Sequence, residues 1–323
     1  MTRLLDKYTG FLRSLKPIHV LYNIINRNKL RHNSALYRKY GVKKSIYTSI
    51  GSHDFKTRSH DIPWIDQPNA LEKIEQNADF QHFTHDIQSQ IVHFIENGYL
   101  ILRGWLPTEK VDALNAEVDN LLNSKQADFN FSGKKIMMAH ELSPVIDATF
   151  RQAELLDILN FLMGKKVIPF QTINFIEGSE QRPHSDSIHM TTEPRGHLIA
   201  AWSAFEDCHE GNGPLVYYPK SHRLPYLMSS DYASGNTHLT LGKDNHKHYE
   251  DAIEKLIHDK NLQPEYFHAQ KGDVFIWHAN LIHGGTKIKQ KGLTRRSMVA
   301  HYFSEGVICF HELSQRPALM SIR

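Results

Sequence analysis

Five short apolar runs crowd the second half of the chain and set the fold class. They are Val167 to Phe175, Leu198 to Phe205, Leu215 to Tyr218, Val274 to Trp277 and Ser297 to Phe303, and each reads as a strand bounded by turn residues. Helical periodicity is concentrated before them. Ile87, Ile91, Phe94 and Ile95 make one helical face ended by Asn97-Gly98, and Tyr99 to Leu102 follows as a short buried strand. Thr108 opens a helix through Leu122 with Val111, Leu114, Val118 and Leu121 on one face, and Leu155 to Leu162 forms another, closed at Gly164. Helices first and strands after predict an α+β chain with a mainly antiparallel β core and helices packed outside it.

The chain has 323 residues, enough for one large domain with an appendage. We divide it into a basic, partly helical arm, residues 1–78, and a main domain, residues 79–323. Residues 1–65 carry 13 Lys or Arg against 3 Asp or Glu, a net +10 that leaves −7 for the rest of a chain totalling +3. A basic arm on an acidic body suggests an anionic surface as partner, membrane headgroups first, or else pairing with the chain's own acidic domain. Phe11, Leu12, Leu15, Ile18, Leu21, Tyr22 and Ile25 recur at helical spacing, with Pro17 starting a short helix and Arg13, Lys16, Arg27, Lys29 and Arg31 flanking. Such a stripe lies on a membrane interface or docks on a neighbouring domain. No nucleic-acid-binding motif accompanies the charge, so no nucleic-acid partner is expected. Two cysteines, Cys208 and Cys309, fit core thiols in a reducing compartment. With no run of eighteen apolar residues and no apolar signal core, a cytoplasmic protein is expected, peripheral membrane contact aside.

The chemistry begins at His184-Ser185-Asp186. On a strand, alternate side chains share a face, so His184 and Asp186 would point together. With His283 they complete two imidazoles and one carboxylate, the facial set of non-haem iron(II) sites. Arg295-Arg296-Ser297 follows, supplying a cation for a dicarboxylate cosubstrate. The spacing alone is weak. With 22 His and 35 acidic residues, about two His-x-acid triplets arise by chance, and the chain has two, the other being His248-Tyr249-Glu250.

The surrounding motifs carry more weight. Phe94 to Leu102, Ala201 to Asp207, Gly211-Asn212-Gly213-Pro214-Leu215, Pro219-Lys220-Ser221-His222-Arg223, Lys271 to His278 and His283-Gly284-Gly285 resemble, in order, the motifs of the phytanoyl-CoA dioxygenase family. The resemblance runs from about Phe80 to Phe303. It implies a double-stranded β-helix (jelly-roll, cupin-like) fold, Fe(II), 2-oxoglutarate as cosubstrate and O2. By that match His184, Asp186 and His283 are the iron ligands and the catalytic set, with Arg295 holding the distal carboxylate of 2-oxoglutarate. A carboxylate at Asp186 further implies hydroxylation over halogenation. Two positions depart from the family pattern: Gly285 stands where Ser is usual, and Lys220 where Gly is usual.

Strand alternation puts Arg295, Ser297, Val299, His301 and Phe303 on one face and Arg296, Met298, Ala300 and Tyr302 on the other. Arg295 with Ser297 makes a carboxylate clamp with a hydroxyl donor, and family spacing favours Arg295 over Arg296. His189, His197, His278 and His301 read as core or surface histidines, with ligand-supporting or substrate-facing roles as the alternative. Residues 229–250 resemble a mobile substrate lid, and the His246-Lys247-His248 tract is only a compositional hint of a metal site. Trp202 lines the pocket or the core. The expected function is hydroxylation of a small-molecule or lipid-like substrate, with decarboxylation of 2-oxoglutarate to succinate. The alternatives are a non-catalytic jelly-roll binding protein and a cupin-type metal protein without cosubstrate.

Overall fold

A computed structural model describes residues 14–55, 61–130 and 133–320; Phe11, Leu12 and Arg13 of the arm stripe lie outside them. The chain begins with helices α1 (Lys16–Ile25), α2 (Asn33–Lys39), α3 (Ala70–Glu75) and α4 (His85–Asn97), then strand β1 (Tyr99–Leu102) and helix α5 (Thr108–Asn123). Strand β2 (Ile136–Met137), α6 (Pro144–Phe150) and α7 (Ala153–Met163) lead into β3 (Val167–Phe175), β4 (Thr191–Glu193), β5 (Leu198–Ala204) and β6 (Leu215–Tyr217). Helix α8 (Asn245–Asp259) precedes β7 (Glu265–Phe267), β8 (Val274–His278), β9 (His283–Gly285), β10 (Ser297–Ser304), β11 (Ile308–His311) and β12 (Arg316–Pro317).

All strand pairs are antiparallel. The large sheet runs β1-β8-β5-β10-β3-β2, and two three-stranded sheets run β7-β6-β9 and β12-β11-β4. Period-2 alternation sorts the large sheet's two faces. Met298, Ala300 and Tyr302 of β10, with Val274 and Ile276 of β8, pack against Val111, Leu114, Val118 and Leu121 of α5 and the apolar faces of α4 and α7. Each such side chain contributes about 1.5–3 kcal/mol on burial, which dwarfs the propensity differences within the helices. On the opposite face Val299, Trp202, Phe275 and Trp277 meet Leu215, Tyr217 and Phe267 of the small sheet. The space between the sheets is therefore where a β10 side chain of odd number points. That is the face of Arg295 and His301.

Helix α4 stops at Gly98, whose φ of +85° continues no helix. Helix α7 stops the same way at Gly164, φ +61°.

Residues 33–55 are built into the body: Tyr37, Ile50 and Phe55 share a cluster with Ile308 and Phe310 of β11, and Ser52 Oγ donates to Glu312 at 2.7 Å. Helix α1 packs with its polar side inward. Lys16, His19 and Asn23 are buried, while Ile18, Leu21, Tyr22, Ile24 and Ile25 are exposed, Leu21 by 61% and Ile25 by 73%. The Lys16 ammonium donates to Gln315 Oε1 and the Thr237 carbonyl, and Asn23 Nδ2 donates to the Tyr47 carbonyl at 2.9 Å. In the segment read as a lid, residues 245–250 open helix α8, which buries Tyr249 and Ile253.

Candidate active site

His184-Ser185-Asp186 is not a strand. His184 forms an isolated antiparallel bridge with His283, the two backbones exchanging N–H···O bonds of 2.9 Å, and Asp186 opens a 3₁₀ turn over Asp186–Ile188. Ser185 between them is extended, with φ −109° and ψ 148°, so the two side chains still converge.

Each potential ligand is oriented by a bond on its far side. His184 Nδ1 donates to the Arg182 carbonyl at 2.9 Å, and His283 Nδ1 donates to the Leu281 carbonyl at 2.9 Å. Both Nε2 lone pairs are thereby left facing inward. Asp186 Oδ2 accepts from Trp277 Nε1 at 2.7 Å and lies 3.4 Å from His301 Nε2. Its Oδ1 lies 4.0 Å from His184 Nε2 and 3.8 Å from His283 Nε2. Among the described residues this is the group of three His, Cys, Asp or Glu side chains able to hold a metal, its ligand atoms all within 4.8 Å of one another. Gln181 Nε2 sits 3.2 Å from His184 Nε2, capping the lone pair on that side.

The electrostatics suit a cation. Burial, reinforced by His283, lowers His184 to about 3, and burial likewise lowers His283. Burial raises the Asp186 carboxyl, but His283 and His301 more than offset it, holding the group well below the usual carboxylate range. Two neutral imidazoles and one carboxylate offer three σ-donors of net charge −1, which fits a divalent ion.

The three residues line a cavity of about 1060 Å³ that also contains Arg295, Trp202 and His301. Arg295 is only 2% exposed. One guanidinium nitrogen donates to the Gly213 carbonyl at 2.8 Å, its Nε has no partner, and the group lies over the Trp202 ring at 5.7 Å. No described carboxylate lies within 4.0 Å of it, and burial lowers its proton affinity. Arg296 instead points outward and pairs with Asp119 at 2.8 Å. Ser297 Oγ donates to the Arg295 carbonyl at 3.4 Å and does not line the cavity. Trp202 serves both cavity and core. His301 and His189 line the cavity, whereas His278 pairs with Asp66 at 3.1 Å and His197 contacts Ser304 and the Asp61 carbonyl. The supporting role of Trp277 was invisible locally, because it sits 91 positions from Asp186.

A family model, Phytanoyl-CoA dioxygenase (PhyH), matches residues 94–297. The chain belongs to the phytanoyl-CoA dioxygenase family. The peroxisomal phytanoyl-CoA dioxygenase of Bos taurus is 22% identical over 236 residues, covering 64% of this chain and 65% of that protein, just under two thirds of the relative's length. An ectoine dioxygenase of Sphingopyxis alaskensis is 26% identical over 223 residues, covering 60% and 69%. Among solved structures, the α-ketoglutarate-dependent carbocyclase SnoK from nogalamycin biosynthesis superposes with a TM-score of 0.58 at 14% identity, covering 76% of this chain and 95% of that one. EctD from S. alaskensis gives 0.54 at 21%, covering 75% and 86%. At these identities the likeness speaks for the fold alone, and it is the cupin-type jelly-roll expected above.

Both departures from the family pattern now have a structural setting. Lys220 takes the left-handed conformation, φ +67°, that a Gly adopts without strain. A Cβ on Gly285 would run into Ser179 Oγ, and Ser179 lines the cavity, so a hydroxyl is present there from a different position.

Proposed function

We propose that this member of the phytanoyl-CoA dioxygenase family is an Fe(II)- and 2-oxoglutarate-dependent hydroxylase of a small-molecule substrate. The observation that carries the reading is a juxtaposition: the His184, Asp186 and His283 donor atoms share one cavity with a buried guanidinium, Arg295, that has no carboxylate partner among the described residues. A buried cation without a counter-charge is costly, and a bound dicarboxylate removes that cost. EctD from S. alaskensis has been solved with Fe and with 2-oxoglutarate, at 22% identity in both cases.

In this reading His184 Nε2, Asp186 Oδ1 and His283 Nε2 hold iron(II), and Arg295 binds the distal carboxylate of 2-oxoglutarate. Iron with O2 supplies the oxidising power for C–H hydroxylation, while 2-oxoglutarate loses CO2 to become succinate. The chain's own residues do the rest. Trp277 and His301 fix Asp186 through Oδ2 so that Oδ1 faces the metal. Trp202 supports the flat side of the Arg295 guanidinium. Gln181 must turn away from His184 Nε2 for metal to bind, because both cannot use one lone pair.

Anaerobic titration with Fe(II), then 2-oxoglutarate, of wild type and His184→Ala tests this. A weak visible charge-transfer band requiring both additions, and absent from the variant, is expected. Folded, iron-loaded protein with no band would favour a binding protein or a cosubstrate-free metal protein.

Helix α1 supports a second element of the reading, contact with an anionic bilayer. Its exposed Ile18, Leu21, Tyr22, Ile24 and Ile25 continue to exposed Leu239, whose carbonyl accepts the Lys16 N–H. Exposed Arg27, Lys29 and Arg31 flank that surface, apolar contact plus basic charge being what an anionic interface binds. Tyr22 of this exposed stripe also lines the cavity. No described helix is long and apolar enough to cross a membrane. Flotation with phosphatidylserine vesicles, lost in Leu21→Ser/Ile25→Ser, is expected; flotation unchanged in that variant would sink the idea.

A further inference from the structure

The cavity holds a second group of imidazoles that the hydroxylase reading leaves without work. His189 follows the 3₁₀ turn of Asp186, His246 lies in the first turn of α8, and His311 ends β11. All three line the cavity. The His189 ring is 5.4 Å from that of His184, and 5.5 Å from each of His246 and His311. Arg316 pairs with His311 across β11 and β12, and its guanidinium lies over the Tyr22 ring at 5.2 Å. These contacts form a track from the proposed metal ligands to the rim.

The track is not a second metal centre. Among the described residues, the sole trio whose ligand atoms approach within 4.8 Å is His184, Asp186 and His283. Nor is the group satisfied by the fold. His189 Nε2 is buried without a hydrogen-bond partner, an arrangement that costs free energy until something fills it. His311 Nδ1 accepts the Ser314 N–H at 3.3 Å, so its Nε2 bears the hydrogen and is a donor. Lys135 and Arg316 line the same cavity; Lys135 Nζ donates to neutral Gln181 Oε1 at 3.0 Å, and neither cation has a described carboxylate within 4.0 Å. Among the described lining residues Asp186 is the single carboxylate, against Lys134, Lys135, Arg295 and Arg316. Glu250 lies 3.5 Å from His246 and is held by Arg182 at 3.1 Å. Phe170, Met190, Phe303, Phe310 and Leu313 line other parts of the wall.

We propose that His189, His246, His311, Lys135 and Arg316 form a subsite for an oxyanion, a carboxylate or phosphate, carried at one end of an otherwise apolar substrate. The inference deepens the hydroxylase reading and rests on it for the word substrate, but the subsite is testable without turnover. Imidazole N–H groups and a guanidinium are the donors that match such an oxyanion, and apolar walls match the remainder of the molecule.

The test is equilibrium binding to the full chain, followed by tryptophan fluorescence, since Trp202 and Trp277 line the cavity. The probes are dodecyl phosphate, dodecanoate and uncharged dodecanol, each below its aggregation limit. Either anion is expected to bind at least tenfold more tightly than dodecanol. Arg316→Gln and His311→Gln should each cost the anions about tenfold, the scale of one charge-assisted hydrogen bond, and leave dodecanol unchanged, with Arg316→Lys retaining part of the effect. The anion bound more tightly, phosphate or carboxylate, names the headgroup. Dodecanol binding as tightly as both anions, or anion binding indifferent to both substitutions, would overturn the subsite. The iron and 2-oxoglutarate band, measured on the same wild-type protein as the anion selectivity, separates the two readings. Anion selectivity without a band removes the hydroxylase and keeps the subsite, whereas a band without selectivity does the reverse.

Discussion

The Trp277 indole N–H donates to Asp186 Oδ2 at 2.7 Å, while the same ring lies 4.5 Å, centroid to centroid, from His283. One side chain therefore sets the rotation of the carboxylate and the seat of an imidazole, two of the three groups that would hold iron. Trp277→Phe keeps the packing and loses the hydrogen bond. Iron(II) affinity is expected to fall about 10–100-fold, the usual scale for such a supporting bond. Metal titration of folded variant and wild type checks this, and equal affinities would refute it.

Arg295 is buried beside Trp202, its guanidinium donating to the Gly213 backbone carbonyl. Arg295→Gln should leave iron(II) binding nearly intact and raise the 2-oxoglutarate requirement by two orders of magnitude or more, since a desolvated ion pair is lost. Arg296→Gln, which loses a surface pair with Asp119, should change neither by more than a few fold. Steady-state kinetics in 2-oxoglutarate distinguishes the two arginines.

Acid should unfold the metal-free protein early. Burial lowers His184 and His222 to about 3 and His311 to about 4, against about 6.5 in an unfolded chain. Between those values the unfolded state binds more protons, so stability rises with pH across that window and is lost as pH falls from about 6.5 towards 4. Urea midpoints measured at pH 7, 6 and 5 should fall in that order. A midpoint independent of pH would show that these imidazoles are not held neutral.

Gly272 and Gly104 both take positive φ, +93° and +57°, but only one is crowded. A Cβ on Gly272 would run into the Leu106 carbonyl oxygen, whereas nothing lies within 4 Å of one on Gly104. Gly272→Ala should cost more than about 2 kcal/mol, combining backbone strain with a clash. Gly104→Ala should cost only the strain, about 1–2 kcal/mol. Thermal unfolding of the pair checks the contrast.

Much of this was legible in the sequence because strand alternation is a local rule. Arg295 and His301 share an inward face with Val299, and Met298, Ala300 and Tyr302 face the helices, as period two requires. Helix α8 was masked by composition: His246, Lys247 and His248 drew attention from the helical spacing of Tyr249, Ile253 and Leu256, which mark its apolar side. The pairing of Trp277 with Asp186 and the meeting of His189, His246 and His311 depend on segments far apart in the chain. No spacing rule reaches that far. Which side of helix α1 faces the body could not be read from its amphipathic pattern, because the polar side turns inward where Gln315 and the Thr237 and Tyr47 carbonyls, all distant in sequence, satisfy Lys16 and Asn23.

His184 and His283 are locked to each other through paired backbone hydrogen bonds. Their separation is thus fixed when the strands close, before any ion arrives. On the proposed reading, iron coordination here would be a docking event on a finished frame, with little chain left to order. Calorimetry of iron uptake should accordingly register a small heat-capacity change, unlike the large one that accompanies metal-driven folding.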